Sequence, residues 1–166
     1  CTYIYVLGNA FNDCTHSGVA LNISSGRNEY IYIVGNTFDN MQSGVVDGNA
    51  AIQVRENSGA TPNDKYVYIR YNQITNSGKV GIGLDACDDV EISNNTVENG
   101  ASGECIACTG SNYTVTDNVI TAVNAGACFM IWADDPADGN TENFTITGNT
   151  MTGNDISNDQ VIALVP

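Results

Sequence analysis

A chain of 166 residues is long enough to bury a hydrophobic core without a metal or a cross-link. Only 14% of its residues are charged, 19 acidic against 5 basic, and a net charge of −14 repels phosphate backbones and anionic headgroups. Nucleic-acid and membrane-surface binding are therefore excluded as readings, and the longest apolar run, 127–133, is too short for a membrane span. The chain opens on Cys1 with no leader-like segment, so a mature or excised piece is expected. Asn occurs 22 times and Gly 17 times against two Lys, which disfavours helices and supplies turns, while 42% apolar residues argue against disorder. An all-β chain dense in turns follows.

In chain order, one motif recurs six times. It runs Val6-Leu7-Gly8-Asn9-Ala10-Phe11, Ile33-Val34-Gly35-Asn36-Thr37-Phe38, Ile69-Arg70-Tyr71-Asn72-Gln73-Ile74, Ile92-Ser93-Asn94-Asn95-Thr96-Val97, Val115-Thr116-Asp117-Asn118-Val119-Ile120 and Ile146-Thr147-Gly148-Asn149-Thr150-Met151. Five and three residues before the common Asn, and two after it, every position is apolar, from Ile4, Val6 and Phe11 to Phe144, Ile146 and Met151. That is strand alternation into a sharp bend at the Asn. A further short strand follows each copy: 18–21, 51–54, 81–84, 105–108, 129–132 and 161–164. Three strands per repeat and a minimal Asn-to-Asn spacing of 23 predict a stacked coil with three faces, longer spacings carrying loop insertions. The six Asn are read as structural. Asn tolerates the left-handed backbone of a tight bend, and amides stacked about 4.8 Å apart can hydrogen-bond along the coil axis.

With this repeat the chain resembles the right-handed parallel β-helix superfamily, the pectin-lyase-like fold, and especially its generic cell-surface repeats of the form apolar-x-apolar-x-x-Asn-x-apolar followed by Gly-Ile-x-Leu. The resemblance covers nearly the whole chain. It implies an all-β, right-handed parallel β-helix solenoid of about six rungs with an internal Asn ladder. Residues 1–166 are expected to form a single domain, a segment of a longer chain or a stacking subunit. In pectin-lyase-like enzymes the groove lies on the face of the third strand and carries acidic calcium ligands with an Arg or Lys base. Here that face is expected to present Gly18, Ala20, Asn22, Gln53, Arg55, Gly83, Asp85, Ala107, Thr109, Phe129, Ile131, Ala163 and Val165, which is nearly without charge. Arg55 and Asp85 fall in one column on adjacent rungs and read first as a cross-strand ion pair. No catalytic residue is carried over. A polysaccharide lyase, hydrolase or epimerase using Arg55 and Asp85 stays as the alternative function.

Four and six residues before the Asn, side chains should point outward. In the first three rungs those residues are Tyr3, Tyr5, Tyr30, Tyr32, Tyr66 and Tyr68, forming two aromatic columns. They suit a sugar polymer or a partner surface as well as simple ring stacking. The leading reading is an extracellular structural or adhesive module of a cell-surface, surface-layer or filament protein. Its expected partners are polysaccharide, through this tyrosine face, or other copies of itself, end to end or side by side.

Other candidates lie beyond the tyrosine columns. Asp134, Asp135, Asp138, Asn140 and Glu142 make an oxygen-rich loop suited to calcium, the one cofactor the sequence suggests. Asn22, Asn94, Asn112 and Asn143 begin glycosylation sequons and, with six Cys, indicate an extracellular or cell-surface setting. Asn112 and Asn143 fall one rung apart, so at most one should be fully occupied. Cys105 and Cys128 each lie ten residues after their Asn, in one column, and are expected to bond; Cys87 and Cys108 are a second expected pair. Cys1 and Cys14 are left to a local bridge, a link to another chain, or lipid attachment at Cys1. His16, the lone histidine, has no rung-mate with which to build a triad and is expected to be a surface or turn residue.

Overall fold

The computed structural model describes residues 1–23, 27–41, 50–56, 64–99, 103–123, 127–132, 142–154 and 161–165. All the strands are parallel and stack in three ladders. The first contains β1 (Thr2–Leu7), β4 (Glu29–Val34), β7 (Asp64–Arg70) and β14 (Glu142–Thr147), together with the C-terminal halves of β9 (Val80–Ser93) and β11 (Ile106–Thr116). The second is a six-stranded sheet of β2 (Ala10–Asn12), β5 (Thr37–Asp39), β8 (Gln73–Thr75), β10 (Thr96–Asn99), β12 (Val119–Val123) and β15 (Thr150–Asn154). The third joins β3 (Val19–Ile23), β6 (Ala50–Glu56), β13 (Phe129–Trp132) and β16 (Ile162–Val165) through the N-terminal halves of β9 and β11. The result is a parallel β-solenoid. Four inner turns have a coil on both sides and one further coil closes each end, so the expectation of about six rungs becomes about four fully flanked turns.

The repeat alignment reappears as strand register. Ile4, Ile31, Val67, Val90, Tyr113 and Phe144 stack in one column, and Phe11, Phe38, Ile74, Val97, Ile120 and Met151 in another. In the inner coils these side chains are buried; in the end coils Ile4, Val6, Phe144 and Ile146 are only partly covered. Each fully buried Ile, such as Ile33 or Ile69, contributes roughly 1.5–3 kcal/mol of hydrophobic stabilisation. No described helix is long and apolar enough to cross a membrane.

The Asn ladder is continuous. The Oδ1 atoms of Asn36, Asn72, Asn95, Asn118 and Asn149 each accept from the backbone N–H of the ladder Asn one coil before, at 2.8–3.0 Å. Each also accepts from that residue's Nδ2 at 2.8–3.1 Å. The Nδ2 groups in turn donate to carbonyls such as Val6, Ile33 and Ile69, so buried amides and the bend's own backbone are satisfied together.

Two local expectations are corrected. The left-handed residue at this bend is not the ladder Asn but the one before it: Gly8, Gly35, Tyr71, Asn94, Asp117 and Gly148, with φ between 55° and 68°. Tilting that residue leaves the Asn free to aim its amide along the axis. On the third face, Phe129 and Ile131 point inward, aligned with Ile106 and Cys108, and are buried; Met130 and Trp132 take the outward register. Gly110 (φ 110°) sits where the register shifts against β9, and a Cβ there would lie 2.0 Å from the Cys87 carbonyl oxygen.

Candidate functional site

The tyrosine face is built by β1, β4 and β7. Strand pairing sets Tyr5, Tyr32 and Tyr68 side by side, with ring centroids 5.0 and 4.8 Å apart and planes within 17° of parallel. Tyr3, Tyr30 and Tyr66 form the second column, both separations 4.8 Å. The two outward ladders are thus where the alternation places them. One feature was not legible: Tyr3, Tyr30 and Tyr66 lie in the left-handed region, at φ 59°, 54° and 58°. A bulky side chain there is an outlier, and the same corner in the following coils carries Asp89, Asn112 and Asn143, the residue types that tolerate it.

Stacking consumes ring faces. Both faces of Tyr30 and Tyr32 are covered by neighbours, and the Arg70 guanidinium lies 4.7 Å from the Tyr68 ring centroid. Tyr3 and Tyr5, in the first coil, are each 59% exposed. Desolvation, reinforced by the neighbouring phenols, raises Tyr30 and Tyr68 above the ordinary tyrosine pKa; Arg70 opposes this at Tyr68. Those phenols therefore remain protonated donors at neutral pH.

The face is bounded by paired charges. Arg70 Nη2 meets Glu91 Oε2, and Ser93 Oγ donates to Glu91 Oε1 at 2.7 Å. Lys65 pairs with Asp88 at 3.7 Å and Arg27 with Glu29. Beyond them, Asn112 Nδ2 donates to Asp89 Oδ1 at 3.1 Å and Asn143 Nδ2 to Asn112 Oδ1 at 3.2 Å, a short surface amide ladder.

The third face holds the alternative candidates. Arg55 Nε and Asp85 Oδ2 are 3.2 Å apart, an ion pair across adjacent strands, and Thr109 Oγ1 donates to Asp85 Oδ1 at 3.2 Å. Trp132, 45% exposed, shares this face; the sequence reading missed it by one position, although the matching offsets of Cys105 and Cys128 from their Asn carried the signal. His16 is exposed beside Thr15.

With that geometry in place, the match to a family model is decisive. The model for the right-handed β-helix region matches residues 57–151, more than half of the chain. The chain belongs to the right-handed β-helix family. The solenoid is accordingly right-handed, as the pectin-lyase-like resemblance implies. No curated protein and no solved structure matches the chain.

The remaining candidates separate. Asp134, Asp135, Asp138 and Asn140 lie outside the described residues; Glu142 begins β14 and is exposed. Among the described residues no group of three or more His, Cys, Asp or Glu is placed to hold a metal ion. Asn22, Asn94, Asn112 and Asn143 are all exposed. The six cysteines are free thiols in the structure, so neither expected bridge is formed in it. Cys105 and Cys128 do share a column, but parallel in-register strands hold their Cβ vectors parallel rather than converging, and their Sγ atoms point to the Thr121 and Thr152 carbonyls at 3.4 Å. Cys108 pairs in register with Leu84, three residues before Cys87, and Cys87 faces Gly110. Burial pushes the Cys105 thiol up to about 12, with Cys128 adding to the effect, and raises Cys87, Cys108 and Cys128 as well. Such thiols behave as small core hydrophobes.

Proposed function

We propose that this β-helix is an extracellular structural or adhesive module that holds polysaccharide against its tyrosine face. The observation that carries the reading is the column Tyr3, Tyr30 and Tyr66 in left-handed backbone where the same fold elsewhere uses Asp or Asn. Non-glycine residues in that region cost of order 1–3 kcal/mol and cluster at working surfaces. Four exposed sequon asparagines support an extracellular setting. The enzyme alternative has less support, since Arg55 and Asp85 are engaged with each other. Calcium at the 134–142 loop belongs to the same proposal as a stabilising ion. A midpoint of unfolding that ignores both millimolar calcium and chelator counts against it. For the face itself, Tyr32→Ser with Tyr68→Ser should abolish retention on polysaccharide while leaving the far-UV β signal intact. Undiminished retention of the double variant would defeat the reading.

A further inference from the structure

The tyrosines could meet a sugar polymer in two ways, and the stacking decides between them. A pyranose ring laid flat on an aromatic ring needs a free face. Along the ladders the faces are spent on one another at 4.8–5.0 Å, and Arg70 lies over Tyr68. The platform presents ring edges and phenol hydroxyls, each hydroxyl one donor and an acceptor, repeating once per coil along the axis. That is the complement of a polymer with hydroxyls at a similar repeat, extended along the solenoid.

Charge decides the class of polymer. The chain has five Lys and Arg in all. Arg27, Arg55, Lys65 and Arg70 are each paired with a carboxylate, and Lys79 also has a partner. A uronate or sulfated polymer would approach a body of net charge −14, past Asp89 and Glu91, with no uncommitted cation to receive it. A neutral polymer meets no such barrier.

Resting on the polysaccharide reading above, we infer that the ligand is an extended neutral polysaccharide of the glucan or chitin type. It is held along the coil axis by hydrogen bonds to the tyrosine hydroxyls rather than by stacking of sugar rings on the aromatic faces. The test uses retention on microcrystalline cellulose and on chitin against retention on immobilised polygalacturonate, at low and moderate salt. Tyr32→Phe with Tyr68→Phe serves as the informative variant, because it keeps the stacks and the fold and removes only hydroxyls.

The expected result is salt-insensitive retention on cellulose or chitin, none on polygalacturonate, and about tenfold weaker binding in the Phe variant, the equivalent of one or two neutral hydrogen bonds. Salt-sensitive retention on polygalacturonate that the Ser variant loses would overturn the neutral class while leaving the tyrosine face as the binding surface. Binding to cellulose or chitin that the Ser variant loses and the Phe variant keeps would overturn the hydroxyl contact. No retention on any of the three, or retention unaffected by the Ser variant, would overturn the polysaccharide reading itself.

Discussion

The first three coils and the last three solve the same corner differently. Six residues before the ladder Asn the backbone is left-handed throughout, at φ 54–61°; the early coils fill it with Tyr3, Tyr30 and Tyr66, the later ones with Asp89, Asn112 and Asn143. The later choice is what backbone energetics favour, and it adds hydrogen bonds from amide to amide and amide to carboxylate. The early choice accepts strain and recovers part of it by ring stacking, worth about 0.5–1.5 kcal/mol per pair beyond area burial. The later coils form the same corner without tyrosine, so the corner itself does not require an aromatic residue.

The ladder is the element the two halves share, so its loss should be the largest effect and the same in both. Asn72→Ala and Asn118→Ala each strip a buried amide that serves the coils above and below, and each should lower unfolding free energy in urea by about 3 kcal/mol. A gap between them much larger than about 1 kcal/mol would break the equivalence of the halves.

Alkaline pH should expose a difference. The four buried thiols, Cys87, Cys105, Cys108 and Cys128, all lie in later coils. A thiol is neutral when protonated, and burial raises its folded pKa, to about 12 for Cys105 against 9.0 for the ordinary group. Their contribution is therefore intact below about pH 9 and is lost as pH climbs from there toward 12. Hydrogen exchange followed across that range should show the later coils loosening first, and a thiol reagent at pH 8 should modify Cys1 and Cys14 while sparing the other four. Peptide mapping that finds Cys105 joined to Cys128 would contradict the thiol state directly.

Exchanging the corner residues sharpens the comparison further. Asn112→Tyr places an unstacked ring in left-handed backbone and removes the bond to Asp89, so it should cost about 1–2 kcal/mol. The reverse exchange, Tyr30→Asn, relieves strain while losing two stacks and should stay within about 1 kcal/mol of wild type by thermal unfolding. If Tyr30→Asn proved as costly as a core cavity, the tyrosine column would be structural after all. The smallest effect is expected on the third face, where Arg55→Gln removes a partly exposed ion pair and should change stability by less than about 1 kcal/mol.

The sequence by itself determined the parallel stacking, its register and the outward direction of the tyrosines. Apolar residues at five and three before and two after each Asn leave a strand only one way to face the core, and six copies in step leave the coils only one way to align. Arg55 beside Asp85 was legible for the same reason, both lying in one column. The tertiary structure alone decided which residue bends left-handed, because the motif shows where a corner falls and not how its dihedrals are shared between Gly35 and Asn36 or between Tyr71 and Asn72. The outward register of Met130 and Trp132 was legible as well, since Met130 lies twelve residues after its ladder Asn just as Ala107 does, although the third-face reading slipped there by one position. Periodicity reports the face on which a side chain lies and nothing about its rotamer. That is why only the folded chain could turn the Cys105 and Cys128 sulfurs toward carbonyls rather than each other, and set the tyrosine rings face to face so that their hydroxyls look outward.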